Sequence, residues 1–261
     1  MIYIVILIIT VGASLIGAVS GVGGGVIIKP LLDSFGIMSV ADASFLSGCT
    51  VLSMSFFCVV KSRVGADSNI SIRVSTALAI GSVLGGIIGK GLFQSIWDNA
   101  ANKDVVGLIQ ALCMVVITVA TLIYTIKMKR ISTHCVKNLL ATTLLGLVLG
   151  VLSSFLGIGG GPINLIVLYF FFSMEIKVAA ENSLYIIMFS QISSLLRTIL
   201  TNTVPNVRGL ILILMICGGI AGAVIGRKIN KTIRAEKINK MFIGLMSAII
   251  IINIYNVFRF L

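Results

Sequence analysis

Long uncharged apolar runs, broken by short polar stretches, set the pattern of this chain. From Met1 to Ile28 there is no charged residue, and Lys29 alone interrupts the run before Asp33. As one helix this stretch would be about 48 Å long, against a bilayer hydrocarbon core of roughly 30 Å. A full helix to about Ser20, a break, and a short half-helix to about Phe35 accommodates it. The break falls at Gly21-Val22-Gly23-Gly24-Gly25, where so many glycines disfavour continued helix. Spans follow from about Ala43 to Val60, Val74 to Gly91 and Val105 to Ile126, with connections at Lys61–Arg73 and Lys90–Asp104.

The same order then recurs. The uncharged run from Asn138 to Met174 is also too long for one crossing and carries Gly157-Ile158-Gly159-Gly160-Gly161, with Pro162 suited to the first position of a new helix. Further spans are expected at Ala179–Ile199, at Gly209–Gly226 and from the basic segment Arg227–Lys240 to about Phe258. The two halves register at an offset of about 136–137 residues. Gly81, Gly85 and Gly89 correspond to Gly218, Gly222 and Gly226, a four-residue spacing suited to close helix packing. The expected fold is therefore an all-α polytopic membrane protein of two homologous repeats, residues 1–130 and 131–261. Each repeat has a glycine-broken first helix and a short half-helix, giving about eight long helices plus two short segments.

Composition supports lipid as the solvent: 58% of the 261 residues are hydrophobic, 11% are charged, and mean hydropathy is +1.15. The net charge of +12 resides in the connections, so its natural partners are lipid headgroups and no nucleic acid is implied. The first twenty residues lack a basic leader and read as a retained helix, not a signal peptide. The five cysteines show no metal or redox spacing. Equivalent connections differ in charge: Lys90–Asp104 is balanced whereas Arg227–Lys240 is strongly basic, and Lys61–Arg73 is basic whereas Thr198–Val207 is uncharged. Since basic loops favour the cytoplasm, the repeats are expected to be inverted, with both termini external.

Broken helices within a membrane point to a transport site. A half-helix beginning at Gly25 or Gly161 presents first-turn N–H groups and a positive dipole end, suited to an anion. The substrate-binding candidates are Ser20, Gly21, Gly23, Gly24, Gly25 and Lys29 in the first repeat. In the second they are Ser153, Ser154, Gly157, Gly159, Gly160, Gly161 and Asn164, with Asn182 and Ser183 on the next long helix. Lys29 either stands centrally or snorkels to the interface. Glu181 and Asp42 are candidates for carrying a coupling proton, Glu181 alternatively being an interfacial carboxylate paired with Lys177. His134, in a basic loop, is expected to be exposed and incidental.

The paired glycine signatures, each followed by a hydroxyl-rich helix and a glycine-ladder helix, resemble the TauE/SafE family of sulfite-exporter-like membrane proteins. Gly21-Val22-Gly23-Gly24-Gly25-Val26-Ile27-Ile28-Lys29-Pro30 carries the family's Gly-x-Gly-Gly-Gly-x-x-x-x-Pro pattern. The second copy departs from it, with Pro162 directly after the glycines and Ile166 at the matching place. The resemblance spans essentially the whole chain and implies export or exchange of a small sulfur-containing anion such as sulfite, sulfoacetate or thiosulfate. The expectation is a multi-pass cell-membrane secondary transporter working by alternating access, coupled to a proton or other ion, without cofactor or metal. The rivals are an anion channel and a membrane partner delivering a sulfur species to a soluble enzyme; a membrane enzyme is disfavoured because no His/Asp/Glu cluster has metal spacing.

Overall fold

The computed structural model describes residues 2–36, 38–64, 69–128 and 131–261. Its elements are α1 (Ile2–Ser20), α2 (Gly25–Phe35), α3 (Val40–Val64), α4 (Ile72–Asn99), α5 (Lys103–Lys127), α6 (Leu139–Leu156), α7 (Gly161–Phe172), α8 (Ile176–Leu200), α9 (Gly209–Thr232) and α10 (Ala235–Phe260). Among the described residues eight helices are long and apolar enough to cross a membrane, and α2 and α7 are the short pieces. Large apolar side chains such as Ile8, Val116, Leu140, Ile251 and Phe258 are exposed on the outside, as lipid solvation requires.

Both glycine breaks fold the chain back. Gly24 lies beside Ser14 and Gly17 beside Gly23 and Gly24, so α2 starts against the last turns of α1 and returns along it. In the second repeat α6 and α7 do likewise, Gly160 lying against Ser153. The glycine ladders seat these hairpins. A Cβ at Gly81, Gly85 or Gly89 of α4 would overlap the α6 backbone at Thr143, Leu147 or Val151. On α9, Gly218 faces Leu7 and Thr10, while Gly222 and Gly226 meet the backbone of Val11 and Leu15. Within each pair the numbers rise together, so α4 runs parallel to α6 and α9 to α1. Meanwhile α3 and α8 cross antiparallel at the centre, with Gly48 beside Gln191 and Ser62 bonded to Glu181.

Several boundaries differ from those read in the sequence, and at three of them the reason is visible. Helix α4 continues about two turns past Gly91 to Asn99, because its polar end satisfies itself: Gln94 Nε2 donates to Asp98 Oδ1 (2.9 Å), and Asn99 Nδ2 to the Ser95 carbonyl (2.8 Å). Only Ala100–Asn102 then connects it to α5, whose start Asn102 caps by accepting from Asp104 N (2.9 Å). The basic segment after Gly226 is likewise mostly helix, since α9 reaches Thr232 and α10 begins at Ala235. At Ser39 a reciprocal cap, Asp42 N to Ser39 Oγ (3.1 Å) and Ser39 N to Asp42 Oδ2 (3.3 Å), starts α3 three residues earlier than expected.

Candidate functional site

The two glycine breaks meet each other. Every residue from Gly21 to Gly25 and from Gly157 to Gly161 is buried. The Val22 carbonyl lies against Gly161, and a Cβ on Gly25 would come within 2.6 Å of the Ile158 carbonyl oxygen. Each half-helix therefore begins against a carbonyl of the opposite break, and neither position has room for a side chain. Gly21, Gly23, Gly157, Gly159 and Gly160 have positive φ, the left-handed region that favours glycine. Val51 of α3 and Ile187 of α8 contact both Gly23 and Gly159, filling the middle between the breaks.

Around this centre the polar groups are unevenly provided. Several buried helix hydroxyls bond back to their own helix: Ser20 Oγ donates to Ile16 O (2.8 Å), Thr50 Oγ1 to Leu46 O (2.8 Å) and Ser55 Oγ to Val51 O (2.7 Å). Ser14, Ser44, Ser47, Ser154 and Ser183 do not; their buried hydroxyls have no partner, and the same holds for Asn164 Oδ1 and Gln191 Nε2. Each such group costs about 1–3 kcal/mol when left unsatisfied. A Cβ on Gly157 would be 2.9 Å from Ser44 Oγ, one on Gly160 3.4 Å from Asn164 Oδ1, and one on Gly159 3.8 Å from Gln191 Nε2. Ser153 Oγ adjoins Gly160 and accepts from Ser190 Oγ (3.4 Å).

Of the sequence candidates, Ser153 and Asn164 line the second break and Gly21–Gly25 and Gly157–Gly161 form the centre itself, while the Ser154 hydroxyl faces Gly86 of α4. Lys29 does not snorkel: it is 4% exposed and its Nζ is held by Asp33 Oδ2 at 2.8 Å. Ser20 faces a pocket with Tyr124, Leu165 and Phe242. Asn182 is spent on the neighbouring connection, accepting at Oδ1 from Ser71 N (2.8 Å) and from Ser75 Oγ, and donating to the carbonyls of Asn69 (3.0 Å) and Val178 (2.6 Å). Ser183 is fully buried on the same helix. Glu181 Oε2 accepts from Ser62 Oγ at the end of α3 (2.9 Å) and from Asn69 N in the connection that follows (3.2 Å), and not from Lys177. Asp42 belongs to the α3 cap described above. His134 is exposed and packs edge-on against Phe170, with ring centroids 5.0 Å apart. Gln191 and Ser44 were not among the candidates; an amide within an apolar span was the available signal for Gln191, whereas Ser44 looks like any serine of a hydroxyl-rich helix.

Eight spans of this length and polarity around two facing hairpins define a multi-pass membrane protein. The family model for the sulfite exporter TauE/SafE matches residues 6–252, and the chain belongs to that family. No curated relative and no solved structure matches it. The family ties the protein to export of sulfite-type sulfur anions across a membrane.

Proposed function

We propose that the protein is a secondary transporter, exporting or exchanging a small sulfur-containing anion such as sulfite, sulfoacetate or thiosulfate by alternating access. The observation that carries this reading is the meeting of the two broken helices, Val22 against Gly161 and Gly25 against Ile158, in the buried middle of the bundle. Two repeats that share a site at their own contact can open it to either side by rocking past one another. Inversion of the repeats is part of the proposal. It is supported by α1 running with α9 and α4 with α6 while α3 and α8 oppose each other, and by the charge difference between equivalent connections. In this arrangement the termini and the Ala100–Asn102 connection are external, and the basic ends of α5 and α9 are cytoplasmic. A driving ion, a proton or another, supplies the work.

The testing experiment is thermal-shift titration of purified protein with sulfite, thiosulfate, sulfoacetate, sulfate, phosphate and chloride at constant ionic strength. A ligand bound only by the folded state at 100-fold excess over Kd adds about 2.7 kcal/mol of stability. Selective stabilisation by a sulfur anion is the expected result. Equal or absent shifts across the panel would overturn the substrate class.

A further inference from the structure

We propose that the anion is held at the second break alone, by Ser44 of α3, Gln191 of α8 and Ser153 and Asn164 of the α6–α7 hairpin, while the first break is its structural counterpart. This inference rests on the transporter reading above. The two breaks share a backbone plan, but their surroundings differ in chemistry. At the shared offset of about 136 residues, Ser44 corresponds to Ala180, Ser153 to Gly17, Ser154 to Ala18 and Asn164 to Ile28. Gln191 corresponds to Ser55, whose hydroxyl is already bonded to the Val51 carbonyl. Gly21 accordingly packs on the Cα and Cβ of Ala180, where Gly157 packs on the Ser44 hydroxymethyl group.

The polar groups at the second break are the kind a small oxyanion takes. Ser44 Oγ and Gln191 Nε2 are donors with no protein partner, 6% and 2% exposed respectively as residues, and both adjoin the left-handed glycines of the break. Asn164, 1% exposed, stands at the same place in the first turn of α7 with Oδ1 toward Gly160, so an anion would take its Nδ2 with the amide turned over. These groups join the dipole end of α7 in a buried setting where donors aimed at a negative charge are strongest. At the first break the unpartnered group that adjoins a glycine is Ser14, beside Gly24. The other glycines there meet Ala180, Val51, Ile187 and the Ile158 carbonyl, whose contacting atoms donate no hydrogen bond to an anion.

The test is a comparison of Kd for sulfite and thiosulfate by calorimetry on purified full-length variants. Ser44→Ala and Gln191→Leu address the second break; Ser14→Ala and Ser20→Ala address the first. Ser44→Ala removes a hydroxyl and keeps the volume, and ligand-free melting temperatures report whether each variant folds as the parent does. The expected result is a loss of about tenfold or more in affinity for each second-break variant, the scale of one hydrogen bond to a charged group. The first-break variants should remain within about twofold of the parent. Equal losses at both breaks, or a loss at the first alone, would overturn the single-site assignment while leaving transport intact. A parent protein that binds neither anion would overturn the transport reading and this one with it.

Discussion

Lys29 illustrates how one residue constrains a membrane core. Its ammonium and the Asp33 carboxylate are one helical turn apart on α2 and almost wholly buried, and Asp33 Oδ1 has no further partner. The end of the half-helix is held from α10: Asn256 Nδ2 donates to the Pro30 carbonyl (2.9 Å), and Arg259 donates to the Asp33 carbonyl. Removing one charge of such a pair strands the other in a medium that cannot solvate it, a loss of about 3–5 kcal/mol. Lys29→Met should therefore lower the melting temperature of the detergent-purified protein sharply. Lys29→Met combined with Asp33→Leu should recover most of the loss, because two apolar residues leave no orphan charge. A double variant as unstable as the single one would show that the pair does more than neutralise itself.

Two helix pairs in this protein, α4 with α6 and α1 with α9, are joined along glycines. The α4–α6 and α1–α9 contacts bring backbones together where Gly85 meets Leu147 and Gly222 meets Val11. Lipid offers no hydrophobic drive to press helices together, so close van der Waals approach must supply the attraction. Gly85→Leu and Gly222→Leu should each prevent recovery of folded, monodisperse protein. Gly12→Ala on α1 has nothing within 4 Å of the added methyl. It should leave stability unchanged or raise it by up to about 1 kcal/mol, through helix propensity alone. Size-exclusion profiles and melting temperatures of the three variants separate packing glycines from incidental ones.

At the scale of the whole molecule the proposed orientation is directly measurable. In a background without native cysteines, single cysteines at Asn99 and Asn202 should react with an impermeant thiol reagent added outside intact cells. Cysteines at Thr133 and Lys237 should react only after permeabilisation. Asn99, Asn202, Thr133 and Lys237 are all exposed, so their access reports sidedness and not burial. Labelling of all four from one side would refute the inverted arrangement.

The amino-acid sequence by itself determined the elements, because each depends on local chemistry. An uncharged run longer than the bilayer has to break, and glycines mark where; hence α1, α2, α6 and α7 and the ladders on α4 and α9 were all legible, as was the TauE/SafE resemblance. Helix ends were less so: α4 and α9 run on through polar residues, because a helix at an interface can satisfy such side chains against its own turns. Tertiary structure alone decided what each polar residue faces. Asn182 and Glu181 share a polar helix start, yet both are bonded to Asn69 in the α3–α4 connection. Lys29 meets Asp33, and Gln191 reaches the second glycine break from a helix some thirty residues further along the chain. A serine in an apolar span reads the same whether it bonds its own backbone, as Ser55 does, or stands unpartnered, as Ser44 does. That difference is set by which neighbouring helix arrives and at what height, information that only the packed bundle holds.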